Sequence, residues 1–203
     1  MPEGAALITT GRIVTMRKMI SLLKQRLSTY KPSSVKAGTN TRASVLIPLM
    51  GEDGDERILL TRRTNSVRSH KGEISFPGGM YEESDGETVR TAVRECGEEI
   101  GVRPGDIEIV GRLSDMETMT GFVITPYVGL IPFPYDFKLN PHEVRYLIYL
   151  PFPFLMSCRP EAATAERNGQ AVEVFEIVYN GERIWGATCR LLIELRRILD
   201  EEV

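Results

Sequence analysis

The sequence lacks the features that assign many chains to a class. No apolar run approaches the roughly 18 residues of a membrane-spanning helix, and no secretory signal pattern opens the chain. The three cysteines share no metal-ligand spacing, which favours a reduced, cytoplasmic compartment over a disulfide framework. A net charge of −3 gives no reason to expect nucleic acid as a partner. We therefore expect neither a membrane nor a nucleic acid as a partner.

Acidic residues are scarce near the N-terminus. Up to Met50 the only acidic residue is Glu3, whereas eight residues are basic. A basic, acid-poor leader is typical of an organellar transit peptide. Such a leader would make the protein mitochondrial. The alternative is a surface helix, because the apolar residues of the stretch 16–30 form one stripe. We treat residues 1–38 as a basic extension with this helix and residues 39–203 as one domain.

The rest of the chain alternates strand and helix patterns. The stretches 44–50 and 57–63 predict two strands joined by an acidic turn. Apolar residues at spacings of 3, 4 and 7 predict a helix from about Glu87 to Ile100, ended by Gly101. Asn180-Gly181 predicts a type I′ hairpin turn, and an amphipathic helix closes the chain. This alternation predicts one α/β domain with a mixed β-sheet between helices.

The stretch 76–102 crowds seven carboxylates against two arginines. Glu95, Glu98 and Glu99 stand at i, i+3 and i+4, so they project from one helical face. Carboxylate oxygens suit a hard divalent cation such as Mg²⁺ or Mn²⁺, and Arg94 can clamp one carboxylate by a bidentate bond. The alternative is a solvated acidic helix face.

Gly78 and Gly79 directly precede this acidic stretch. Glycine permits backbone conformations, and close approach by a ligand, that a side chain would block. A Gly-Gly loop beside three carboxylates therefore suggests a site for metal-bridged phosphate chemistry.

The register of the acidic helix resembles a known motif. Arg94 to Val102 matches REUxEExGU, the second half of the Nudix box, with Cys96 in an apolar slot. In the first half, Asp85 stands six positions after Gly79 where the family has glutamate, and one extra residue precedes Arg94. The resemblance implies a Nudix hydrolase with an α/β/α sandwich.

A second pattern lies immediately upstream. The Nudix branch that acts on coenzyme A carries L-L-T-x-R-[S/A]-x3-R-x3-G-x3-F-P-G-G, and residues 59–79 match it with Thr64 as the one departure. Residues 140–151 and 182–188 resemble later landmarks of that branch. This resemblance covers roughly residues 40–200.

The resemblance implies hydrolysis of the diphosphate of coenzyme A or a derivative to 4′-phosphopantetheine and 3′,5′-ADP. It implies Glu95 and Glu99 as metal ligands, with Glu98 adding a direct or water-mediated contact. Arg63 and Arg68 are candidates for the 3′-phosphate, because the guanidinium fork matches phosphate oxygens. The alternative is that both arginines pair with the acidic turns at residues 51–56 and 82–87.

The general base is open between two glutamates. Glu98 lies within the cluster, and Glu143 could approach it from across the sheet. We predict Glu98, Arg94 and Glu143 as the catalytic set, and Gly78 and Gly79 with the two arginines as the substrate-binding set.

Two other functions fit parts of the sequence. A Nudix enzyme for ADP-ribose or another nucleoside diphosphate derivative would share the acidic helix, although those substrates lack the 3′-phosphate. A non-catalytic sensor module typically loses a metal ligand, whereas all three glutamates are present. We expect a small-molecule substrate and a monomer or homodimer.

Overall fold

The computed structural model describes residues 8–9, 12–13, 19–51, 54–66, 70–167 and 169–200. Its helices are α1 (Met19–Thr29), α2 (Thr88–Ile100), α3 (Phe152–Ser157) and α4 (Gly186–Asp200). Its strands are β1 (Ile8–Thr9), β2 (Arg12–Ile13), β3 (Thr41–Met50), β4 (Arg57–Arg63), β5 (Ile74–Ser75), β6 (Gly78–Met80), β7 (Glu108–Arg112), β8 (Met116–Glu117), β9 (Phe122–Leu130), β10 (Val144–Pro151), β11 (Glu161–Arg167), β12 (Gln170–Tyr179) and β13 (Glu182–Trp185).

A mixed sheet of eight strands forms the centre. Its main order is β10-β4-β3-β9-β7, and the short strands β5, β6 and β8 pair with β4, β3 and β9. β3 runs parallel to β9, and the other neighbours are antiparallel. β11, β12 and β13 form a separate antiparallel sheet, and β1 pairs with β2.

Helices cover both faces of the central sheet because successive residues of a strand point to opposite faces. Leu46 of β3 lies in a cluster with Cys96 and Ile100 of α2. Its neighbour Ile47 lies in the other cluster, with Leu23 of α1 and several leucines of α4. The result is the predicted α/β/α sandwich.

The strongest local signals of the sequence are confirmed. α2 begins at Thr88 and ends at Ile100, and Gly101 adopts the left-handed conformation with φ 74°. Asn180 and Gly181 both have positive φ, 49° and 79°, as a type I′ turn requires.

The predicted N-terminal helix is present as α1. Leu23 and Leu27 of this helix are buried in the main core, so α1 packs as part of the sandwich. None of the helices in the described ranges is long and apolar enough to cross a bilayer.

Candidate active site

Helix α2 presents the three glutamates at very different depths. The side chains of Glu95, Glu98 and Glu99 are 15%, 57% and 1% exposed. The helix turns Cys96 and Ile100 into the core, so Glu99 lies at the boundary between the polar face and the core. The three carboxylates therefore share one side of the helix but differ in their contact with solvent.

Glu99 is the most perturbed of these carboxylates. Burial raises the pKa of Glu99 to about 8, while the positive charge of Arg63 and the backbone N–H of Gly78 oppose this shift. Arg63 Nη1 lies 3.4 Å from Glu99 Oε1. Glu99 Oε2 and Arg63 Nε are both buried, and neither has a hydrogen-bond partner among the residues that the structure describes. Buried polar atoms are seldom left unpaired, so these two atoms are candidates for contact with a ligand.

Arg94 organises the outer part of the site. Its Nη1 donates to Glu95 Oε1 at 2.8 Å and to Glu98 Oε2 at 3.0 Å. The bidentate contact expected from the sequence is made to Asp85 instead, through Nε and Nη2. Arg94 thus ties two of the glutamates to the turn that precedes α2.

The Gly-Gly pair lies against this face as predicted. Gly78 and Gly79 belong to β6, which pairs with Val45 and Ser44 of β3. A Cβ atom added to Gly79 would overlap the carboxylate of Glu95. Only glycine lets the backbone come this close, so β6 forms one wall of the carboxylate site.

Glu143 approaches the same cluster from the turn before β10. Its negative charge contributes to the raised pKa of Glu99, and to that of Glu95, which rises mainly through burial. Asn140 Nδ2 donates to Glu143 Oε1 at 3.1 Å, and the backbone N–H of Asn140 donates to the carbonyl of Glu99. The turn is therefore fixed to the C-terminal end of α2, which brings Glu143 to the site.

Three further polar residues lie near β4 and β10 in the sequence. Arg68 falls outside the described residues. Arg62 forms an ion pair with Glu182 at 2.9 Å, which ties β4 to the hairpin of β12 and β13. His142 is exposed.

The glutamates do not converge on one point. Within the residues that the structure describes, no three histidine, cysteine, aspartate or glutamate side chains lie close enough to hold a metal ion together. Glu95 and Glu98 turn to Arg94, and Glu99 turns to Arg63. The donor set still fits a hard divalent cation, because carboxylate oxygens are its preferred ligands and Glu99 Oε2 has no partner within the described part of the chain. The ligand roles stay predictions.

Three features of the site had no reliable sequence signal. The contact between Arg63 and Glu99 joins a strand to a helix 36 positions away. The fit of Gly79 against Glu95 depends on how β6 pairs with β3. The burial of Asp85 was not predicted, because its sequence position shows only that it replaces the glutamate of the motif.

The structure thus places a mixed sheet between helices and a carboxylate-rich helix beside a Gly-Gly strand. The NUDIX domain matches residues 40–176, and the chain belongs to the Nudix family. It is a Nudix hydrolase, acting on pyrophosphate bonds.

Two relatives in the genus Yersinia are similar over most of the chain. Both are described as the uncharacterized Nudix hydrolase NudL, one from Yersinia pestis (strain Pestoides F) and one from Yersinia pseudotuberculosis serotype O:1b (strain IP 31758). Each is 33% identical over 160 residues, which cover 78% of this chain and 80% of the relative.

Solved structures support the fold. The crystal structure of a MutT/nudix family protein from Enterococcus faecalis matches with a TM-score of 0.51 and 14% identity, covering 90% of this chain and 70% of that chain. At this identity the likeness shows the fold alone.

Proposed function

We propose that this Nudix hydrolase cleaves the diphosphate of coenzyme A or one of its derivatives. The products are 4′-phosphopantetheine, or its acyl form, and 3′,5′-ADP. One observation carries the proposal: the basic loop between β4 and β5 starts at the carboxylate site. Arg63 contacts Glu99, and the backbone N–H of Thr64 donates to the carbonyl of Glu143 at 2.8 Å.

The loop supplies what coenzyme A needs beyond a diphosphate site. Its 3′-phosphate requires a second anion contact at some distance from the diphosphate, and the loop carries Arg68, His70 and Lys71. A hydrogen bond to Glu73 raises the pKa of His70, which favours its charged form. Arg63 is engaged with Glu99, so we assign Arg63 to the diphosphate end. Arg68 remains the candidate for the 3′-phosphate.

A divalent cation, Mg²⁺ or Mn²⁺, would be held by Glu95, Glu98 and Glu99, and would supply charge neutralisation of the diphosphate and a water of lowered pKa. Residues of the chain itself position the carboxylates and the general base. Gly79 of β6 has no side chain, and this leaves room for the carboxylate of Glu95 beside the backbone.

The proton of the attacking water needs an acceptor within reach. Asn140 holds Glu143 through Oε1, so Oε2 is the atom that would accept this proton. Glu98 is the second candidate, because its side chain is the most exposed of the three on α2. Separate Glu143→Gln and Glu98→Gln variants decide between them by the pH profile of turnover.

Product analysis tests the proposed function. Purified protein with Mg²⁺ or Mn²⁺ is offered coenzyme A, dephospho-coenzyme A and ADP-ribose in parallel. We expect 3′,5′-ADP from coenzyme A, no product in chelator, and no product from Glu99→Gln. Preferential cleavage of ADP-ribose would contradict the substrate but keep the hydrolase site. No cleavage of any of the three would favour the sensor function.

A further inference from the structure

A pocket of ≈ 500 Å³ lies beside β10, which is an end strand of the central sheet. Leu147, Ile148 and Tyr149 of this strand line one side of it. The hairpin of β12 and β13 lines another side, through Tyr179, Asn180 and Glu182. The volume falls within the range of about 300–1,000 Å³ that is typical of small-molecule sites.

Backbone groups of β10 face away from the sheet on this side. In the described part of the chain β10 pairs with β4 as its one long partner, and every second residue of such a strand directs its N–H and C=O outward. The backbone N–H of Phe152 donates to the carbonyl of Glu56 at 3.0 Å, in the register of the β10–β4 pair. Positions 148 and 150 are therefore bonded to β4, and Leu147 and Tyr149 present their N–H and C=O groups at the free edge.

A free strand edge can bind an extended chain that carries its own amide groups. The pantetheine arm of coenzyme A is such a chain, because it contains two amides, each with one N–H donor and one C=O acceptor. ADP-ribose contains no amide. Pairing at this edge would therefore distinguish the two candidate substrates.

β10 leads from the candidate active site to this pocket. Glu143 immediately precedes the strand, and Leu147 comes four positions later, at most about 13 Å away along an extended chain. The extended pantetheine arm is about as long as four to five residues, roughly 15 Å. An arm whose phosphate lies at the carboxylates is therefore long enough to reach the pocket.

We propose that the pocket beside β10 binds the pantetheine arm, whose amides pair with the free edge at Leu147 and Tyr149. The thiol or acyl end of the arm lies against the hairpin of β12 and β13. This inference rests on the proposed function and names the part of the substrate that the protein recognises. Main-chain hydrogen bonds hold the arm as they hold an added strand.

Calorimetric titration with 4′-phosphopantetheine tests the pocket, with Mg²⁺ present and 3′,5′-ADP titrated in parallel. Leu147→Pro removes one outward N–H, which an edge strand tolerates, and Leu147→Ala is the matched control that keeps it. We expect Leu147→Pro to bind 4′-phosphopantetheine about fivefold more weakly than Leu147→Ala, the scale of one neutral hydrogen bond. Both variants should bind 3′,5′-ADP equally.

An analogue of 4′-phosphopantetheine with ester oxygens in place of the amide nitrogens tests the same contact in the unaltered protein. It cannot donate to the carbonyls of the strand edge, so the wild type should bind it at least about fivefold more weakly. Equal binding of the amide and the ester, or no binding of 4′-phosphopantetheine, would overturn the inference.

Turnover of coenzyme A separates this inference from the proposed function. If coenzyme A is cleaved while the amide and the ester bind equally, the assignment of the pocket fails and the proposed reaction stands. If the amide binds more tightly than the ester while coenzyme A is not cleaved, the pocket is confirmed as a site for the arm and the proposed reaction fails.

Discussion

Arg94 holds the carboxylate of Asp85 through two parallel hydrogen bonds, Nε to Oδ1 at 2.9 Å and Nη2 to Oδ2 at 3.2 Å. Asp85 Oδ2 also accepts bonds from Thr91 Oγ1 at 2.8 Å and from the backbone N–H of Glu82 at 3.0 Å. Aspartate is one methylene shorter than the glutamate of the motif, and the turn carries one extra residue. The shorter side chain still reaches the arginine, which in turn holds Glu95.

We expect Asp85→Ala to destabilise the protein by about 2 kcal/mol, because it removes the charge-assisted hydrogen bonds between Arg94 and this carboxylate while Arg94 keeps Glu95 and Glu98. Activity should fall as well, since Arg94 no longer positions Glu95. Urea unfolding measures the change in stability. Glu83→Gln, at an exposed position in the same short turn, is the control and should change stability by less than about 0.5 kcal/mol.

The ion pair between Arg94 and Asp85 also predicts how the free energy of unfolding changes at acid pH. The hydrogen bonds from Arg94 hold the pKa of Asp85 well below its usual range. A carboxylate with a lowered folded-state pKa stabilises the protein above the unfolded value of about 4, and this contribution is lost as the pH falls further. Unfolding free energies between pH 7 and pH 3 should therefore decline less steeply in Asp85→Asn than in the wild type. Parallel curves would show that Asp85 contributes nothing to acid sensitivity.

The sequence predicted those elements whose signals are local. α2 follows from its apolar spacing and from Gly101, and the turn at Asn180 follows from the need for positive φ. β11 was not predicted, because its sequence, EAATAER, has little of the β-branched and aromatic enrichment of strands. It forms through complete backbone pairing with β12, from Glu161 to Arg167.

In the candidate site, too, the sequence predicted local features and missed those that depend on tertiary packing. The spacing of Glu95, Glu98 and Glu99 was visible because one helix carries all three. Their pairing with different arginines was not visible, because the depth of Glu99 depends on how β4 and α2 pack. Like charges brought together at one face are costly for folding, and such local conflicts are expected where residues are kept for function.

Alanine substitutions in the Gly-Gly pair should separate activity from stability. In Gly79→Ala the new methyl group meets the flexible carboxylate of Glu95, so the fold should persist while turnover falls at least about tenfold. Steady-state kinetics and thermal unfolding measure the two effects. Gly105→Ala, where no atom lies within 4 Å of the added carbon, should change neither.

Gly78→Ala should behave differently. Its added carbon would meet backbone, 2.7 Å from Val45 Cα and closer still to the carbonyl of Ser44. Backbone cannot move aside as a side chain can, so we expect a loss of about 1–3 kcal/mol in unfolding free energy. If Gly78→Ala were as stable as the wild type, β6 could not be packed against β3 as closely as the structure has it.

Glu99→Gln should lose activity without losing stability. Burial raises the pKa of Glu99 to about 8, so without a metal ion the carboxyl is largely neutral at pH 7 and folding gains little from its charge. Replacement by the neutral isostere should reduce turnover at least about 100-fold yet leave the unfolding midpoint in chelator unchanged or higher. A large drop in that midpoint would instead make Glu99 a structural residue.

Arg63→Gln and Arg68→Gln should differ in their response to the 3′-phosphate. Arg63 contacts Glu99, which we propose to lie at the diphosphate end, so its removal should lower kcat/KM for coenzyme A and dephospho-coenzyme A by the same factor. Arg68 is assigned to the 3′-phosphate alone, and a hydrogen bond to a charged group is worth about tenfold. Its removal should therefore raise KM for coenzyme A about tenfold and leave dephospho-coenzyme A unaffected. Equal effects of Arg68→Gln on both substrates would contradict the proposed 3′-phosphate contact. The assignment of Arg63 is tested separately, by the ratio of kcat/KM for coenzyme A to kcat/KM for dephospho-coenzyme A in Arg63→Gln.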